Sequence, residues 1–115
     1  PYTVYEGHKR IIDYVGDTAR TFANIVDNFI PGEAYNIGGN QEWEMDIKDY
    51  SDLVLEATGR DDSLVTYKEA EPFTTKIKTI DFSKSIRDLK HDPKIKPKEG
   101  IKKTAEWMKW YYRLE

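Results

Sequence analysis

Apolar and polar positions along the chain fall into short blocks whose period switches between that of a strand and that of a helix. Residues 2 to 6 (YTVYE) read as an extended segment closed by a Gly7-His8 turn, and Arg10 to Val15 (RIIDYV), rich in β-branched and aromatic residues, reads as a short strand. Gly16-Asp17 then opens a helix, with Asp17 as the N-cap. Its apolar positions, Ala19, Phe22, Ala23, Val26, Phe29 and Ile30, repeat at the spacing of one buried face, and Arg20, Asn24, Asp27 and Asn28 fall largely on the other. Pro31-Gly32 ends it.

Gly32 to Glu42 (GEAYNIGGNQE) follows as a short strand, Ala34 to Ile37, that breaks into a double glycine and three hydrogen-bonding side chains. Adjacent glycines allow φ > 0 and close approach of another molecule, so the stretch reads either as a plain turn or as a strand feeding a binding loop. Asp46 is the next N-cap, with Asp49 in the acidic place of a capping box. Ile47, Tyr50, Leu53, Val54 and Ala57 form the stripe of that helix, and Gly59 closes it. Leu64 to Glu69 reads as a strand, Lys76 to Ile80 as a half-exposed one, and Asp81 or Ser83 caps a short helix carrying Phe82, Ile86 and Leu89 inward. Past the Pro- and Lys-rich connector 91 to 98, a last helix starts near Pro97. Ile101, Thr104, Ala105, Met108 and Tyr112 face inward from it, while Trp107, Trp110 and Tyr111 add more aromatic surface than a small isolated domain buries. This order of elements predicts an α/β or α+β fold.

Composition narrows the class. The 115 residues suffice for one compact domain, and 38% hydrophobic with 34% charged residues describe a folded chain with a charged surface. Lys and Arg are interleaved with Asp and Glu at a net charge of −3, which leaves no basic footprint for nucleic acid. Zero cysteines exclude disulfides and thiolate chemistry and fit a reducing compartment. With no apolar run of membrane-spanning length or signal peptide in the sequence, the expected location is cytoplasmic, without membrane partners. The start at Pro1, directly on a strand-like run, suggests a portion of a longer protein.

Tests for site chemistry are mostly negative. His8 and His91 are far apart and lack ligand-spaced companions, so both are expected at the surface and no metal site is expected. There is no P-loop, and Gly38-Gly39 lacks the further glycine of a dinucleotide loop. Tyr5 and Lys9 have a Tyr-x-x-x-Lys spacing, but Gly7 interrupts it and the segment reads as strand and turn rather than one helix face.

Taken together, RIIDYVGDTAR (10 to 20), GEAYNIGG (32 to 39), the helix from Asp46 to Thr58, TIDFSKSIRDL (79 to 89) and EGIKKTAEW (99 to 107) resemble, in order, the C-terminal part of the NAD-dependent nucleotide-sugar epimerases and dehydratases, the extended short-chain dehydrogenases. The resemblance implies a single domain, 1–115, forming the C-terminal substrate-binding portion of a longer chain. NAD or NADP and the catalytic Tyr-Lys pair would belong to a Rossmann domain outside it. The portion alone would be inactive, without catalytic or cofactor-binding residues of its own. Its partners would be a nucleotide-diphosphate sugar and that Rossmann domain, in a parent homodimer.

By the same resemblance, Arg10 reaches the substrate phosphates, a role suited to a permanently charged fork. An arginine paired to a surface carboxylate is the alternative. Lys76 takes the place of the family's second phosphate-binding arginine. Met45 stands where several dehydratases place an asparagine, so Asn40 or Gln41 is expected to supply that contact. Glu71-Pro72-Phe73 replaces the family's Arg-Pro-Gly loop, and sugar and base remain unassigned. The competing reading is a non-catalytic α+β protein-interaction module whose exposed aromatics bind a protein partner.

Overall fold

The helix Ile47–Thr58 begins and ends where the sequence supplies a cap. The computed structural model describes residues 1–114 as β1 (Tyr2–Glu6), β2 (Lys9–Arg10), α1 (Val15–Asn28), a 3-10 turn (Gln41–Trp43), β3 (Met45–Asp46), α2 (Ile47–Thr58), β4 (Val65–Glu69), α3 (Ser83–Leu89) and α4 (Pro97–Tyr112). Asp46 caps α2 by accepting from the Lys48 amide at 2.9 Å, and its other oxygen accepts from Gly7 N at 3.0 Å. Gly59 closes α2 at φ 67°, where a side chain would be strained. Pro97 sits in the first turn of α4, where its missing N–H costs nothing.

α1 departs from the expectation. It begins at Val15 after Tyr14, which makes no side-chain cap, so Asp17 lies inside the first turn and serves another segment. The expected strand over Arg10 to Val15 shrinks to Lys9–Arg10. The Ala34 to Ile37 strand is absent: Asn36 O accepts from Ser85 Oγ rather than from a ladder, and the Asn36 side chain donates through Nδ2 to Asp81 O at 3.1 Å. Lys76 to Ile80 keeps only a parallel bridge between Ile77 and Lys9.

Two small sheets result. β1 runs parallel to β4 with Tyr2 opposite Val65 and Glu6 opposite Glu69, and β2 pairs antiparallel with β3, Arg10 opposite Met45. α2 packs on β1 and α4, and α1 packs on α3. The fully enclosed apolar residues are Val4, Tyr50, Phe82 and Leu89. No helix among the described residues is long and apolar enough to cross a membrane.

The chain is open and flat, 49 × 39 × 21 Å with a radius of gyration of 16.5 Å, against roughly 13 Å for a compact domain of this length. Its accessible surface of 8388 Å² exceeds the roughly 6,500 Å² of a compact protein of equal mass. The excess is largely apolar. On α1, Val26 is 83% and Phe22 59% exposed, so the stripe expected to face inward faces out. Ile86 of α3 and Met108 and Tyr112 of α4 are also exposed, against expectation. At the end of α4, Trp107 stacks on Tyr111 with ring centres 5.0 Å apart, and Tyr112 meets Tyr111 edge-on at 4.9 Å, leaving an aromatic cluster in solvent.

Candidate functional site

Tyr50 draws the first part of the site together. Its hydroxyl accepts from Ile12 N at 3.1 Å and lies 3.2 Å from Arg10 O and 3.1 Å from Trp43 O, so one buried phenol joins β2, the chain after it and the 3-10 turn. Burial pushes this phenol up from its usual range, with the Ile12 amide opposing; it acts as a neutral hydrogen-bonding hub.

Arg10 and Lys76, 66 positions apart, are neighbours. Arg10 Nη1 donates to Lys9 O at 2.7 Å and Lys76 O at 3.1 Å, and Nη2 donates to Thr75 O at 2.8 Å. The backbone bond from Lys9 N to Lys76 O, 2.7 Å, closes the same corner. The guanidinium has no carboxylate partner among the described residues; its contacts are carbonyls that leave its charge uncancelled. The Arg10 side chain thus joins the backbones of Lys9, Thr75 and Lys76 at one edge.

Asn40 and Gln41 stand elsewhere, on one wall of a cleft of about 570 Å³ whose opposite wall includes Asp81, Phe82 and Ile86. Asn40 Oδ1 accepts from Glu42 N at 2.9 Å, starting the 3-10 turn and leaving its Nδ2 group as the available donor. Asp81 accepts from the Ser83 amide at 2.8 Å, and that amide holds its carboxyl below the usual range, with the Ser83 hydroxyl adding to it. The cleft wall carries Asp81 and Asp92 and no lysine or arginine, and neither Arg10 nor Lys76 lines it. The predicted residues therefore form two pairs with opposite electrostatics.

Gly38 and Gly39 do not have the use expected of them. Neither takes a positive φ; both are buried. A Cβ on Gly38 would lie 2.6 Å from the Phe82 ring, and one on Gly39 would lie 2.9 Å from Ile12 O, so the glycines admit neighbours from their own chain. His91 is not a surface residue either. It is 3% exposed, with Nε2 2.6 Å from Gly38 O and Nδ1 2.7 Å from Thr21 Oγ1. Asp17 is buried as well: its carboxylate accepts from Lys94 N at 3.0 Å and Ile95 N at 2.8 Å and pairs with Arg20. Burial raises its pKa, but the amides of Ile95 and Lys94 and the Arg20 guanidinium outweigh that and leave it below the ordinary carboxylate range. Sequence reasoning missed both. The one available signal was the polar series Asp17, Thr21, Asn24, Asn28, itself at helical spacing.

No family model matches the chain. It is 34% identical over 100 residues to dTDP-D-glucose 4,6-dehydratase of Bos taurus, covering 82% of the chain and 27% of that protein. It is 31% identical over 126 residues to a dTDP-glucose 4,6-dehydratase of Escherichia coli, covering 96% and 35%. The chain thus spans about a third or less of the length of the curated relatives it matches. Among solved structures, UDP-glucose 4-epimerase of Thermotoga maritima with UDP-glucose matches at a TM-score of 0.80 and 24% identity over 99% of the chain and 36% of its own. DesIV, a dTDP-glucose 4,6-dehydratase of Streptomyces venezuelae with NAD and TYD bound, matches at 0.77 and 23% over 98% and 36%. Neither the Gly38-Gly39 pair nor the Tyr5-Lys9 spacing fits an NAD site. Gly38 and Gly39 are filled by their own chain, and Tyr5 and Lys9 lie on separate strands with Gly7 at φ 79° between them.

Proposed function

The chain matches the NAD-dependent nucleotide-sugar epimerase and dehydratase family over about a third of a member's length, and from that premise we propose that it is the part of such an enzyme that holds the nucleotide-sugar substrate. It forms one unit, residues 1–115, of a longer protein whose NAD-binding and catalytic residues lie outside it. The observation that carries this reading is the bond from the Arg10 side chain to the Lys76 backbone across 66 positions, the guanidinium fixed by three carbonyls and without a carboxylate partner among the described residues. A preformed cationic corner suits a diphosphate. Asn40 and Gln41, beside Asp81 and Asp92, suit hydroxyl groups of the same substrate, because two carboxylates with no cation on the wall repel phosphate.

Calorimetric titration of the full-length protein with dTDP and UDP tests this. Arg10→Ala is expected to weaken the nucleotide that binds by about tenfold or more, one charge-assisted contact being about 1.4 kcal/mol or above, and Arg10→Lys is expected to fall between, keeping charge without the fork. Unchanged affinity in Arg10→Ala removes the phosphate role. The exposed Trp107, Trp110, Tyr111 and Tyr112 favour a second reading, a non-catalytic interaction module. The relatives being enzymes over most of this chain weighs against it.

A further inference from the structure

We propose that His91 is a positioning residue for substrate binding: it ties the Gly38–Gln41 loop to α1 and so sets where Asn40 and Gln41 stand in the cleft, an inference that rests on the binding role given above. A carbonyl can only accept, so the 2.6 Å contact to Gly38 O places a proton on His91 Nε2. In the neutral ring Nδ1 then accepts from the Thr21 hydroxyl at 2.7 Å. The Thr21 hydroxyl also lies 3.2 Å from Asp17 O, which holds it to its own helix.

The ring is aimed by the end of α3. Lys90 takes a left-handed conformation, φ 53°, and it and His91 both return their amides to Ser85 O. A non-glycine residue there is strained, and α1 holds the turn through Asn24 Nδ2, which donates to Leu89 O at 3.2 Å and Lys90 O at 3.4 Å. Phe82 fills the remaining side, its ring 6.3 Å from the imidazole and against Gly38. A side chain so enclosed transmits its position to the loop, because Gly38 has no Cβ with which to anchor itself. From Gly38 the chain passes at once to Asn40, whose side chain starts the turn carrying Gln41.

The test uses amide hydrogen exchange at Glu42 and Trp43, which bond to Asn40, together with dTDP and UDP titration of the full-length protein. His91→Phe keeps a ring but neither nitrogen; Thr21→Val removes the hydroxyl, and Thr21→Ser restores it. We expect exchange about tenfold faster in His91→Phe and smaller acceleration in Thr21→Val, in line with one lost buried hydrogen bond. Nucleotide affinity should weaken in the same order, with Thr21→Ser behaving as wild type. The Thr21 pair decides the matter if His91→Phe does not fold. Exchange unchanged in Thr21→Val, or accelerated with affinity intact, overturns the proposal. Wild-type protein that binds neither nucleotide overturns the binding reading and this one with it; because exchange is read without nucleotide, that outcome is distinct from failure of the tether.

Discussion

Helix α1 carries two stripes at helical spacing, and the chain buries the polar one. Asp17, Thr21 and Asn24 turn toward the segment from Leu89 to Ile95, with Asp17 and Thr21 enclosed, and Asn28 donates to Asn24 O within the helix. Phe22, Val26 and Phe29 face solvent. Burial of apolar area is non-directional, whereas each contact of the polar stripe has one donor, one acceptor and one geometry. The connector is therefore held in a specific position with little apolar burial, and no buried side-chain polar atom among the described residues lacks a partner. In this half of the molecule hydrogen bonds fix the connector beside the buried Leu89 and Phe82; on the α2 side the buried residues are Val4 and Tyr50.

The largest expected effect comes from breaking the polar stripe at Asp17. Asp17→Ala leaves the amides of Lys94 and Ile95 without their acceptor and Arg20 without its partner, and removing one member of a buried charged network costs about 3 kcal/mol or more. Urea denaturation should show the unfolding free energy falling by that amount, with the midpoint at lower urea. Acid reads the same contact. The native pKa of Asp17 lies below its unfolded value, so its contribution is complete above the ordinary carboxylate range and is lost as pH falls through that range and then through the native value. Wild type should lose stability over that acidic window, and Asp17→Ala should lose less. Equal losses in the two proteins would assign the acid sensitivity to other carboxylates.

Local chemistry explains which features were legible in the sequence. Asp46, Gly59 and Pro97 set helix ends through contacts within a few residues, and all three hold. Periodicity revealed an apolar stripe on α1 but not which stripe this chain covers, since that depends on what lies opposite. Asp17 has the residue type of an N-cap whichever amides it serves, and here they lie more than seventy positions away. Ala34 to Ile37 has the composition of a strand, but Ser85 supplies a side-chain partner to Asn36 O, and the Asn36 side chain binds Asp81 O, where a ladder would have been expected. The pairing of Arg10 with Lys76 rested on family resemblance alone; no local pattern joins them. His91 had no signal in its neighbours and became visible only with Thr21 and Gly38 around it.

A middle-sized effect sits where the polar stripe reaches the loop. Gly38→Ala puts a methyl 2.6 Å from the Phe82 ring, which is 7% exposed and has little room to retreat. Overpacking of this kind costs about 1–3 kcal/mol. Phe82→Leu alone is also destabilising, through lost volume, but combined with Gly38→Ala it should cost less than the sum of the two. Additive losses in a double-mutant cycle would show that the glycine is required by something other than the ring, and the loop would no longer be an extension of the stripe.

The smallest effect is expected on the apolar stripe, and it is the sharpest check on the contrast. Val26 is 83% exposed, so Val26→Ser in this chain removes almost no buried area and should change stability by less than about 0.5 kcal/mol. A buried valine would lose several times that. Thermal denaturation of the chain and of Val26→Ser distinguishes the two, and the size of the difference measures how much of the stripe is covered. Near-identical transitions mean that α1 is held by Asp17, Thr21 and Asn24 with its apolar side open. A loss of about 1.5 kcal/mol or more, the value for an enclosed valine, means that the stripe is covered in solution and that hydrogen bonds are not the principal attachment of this helix.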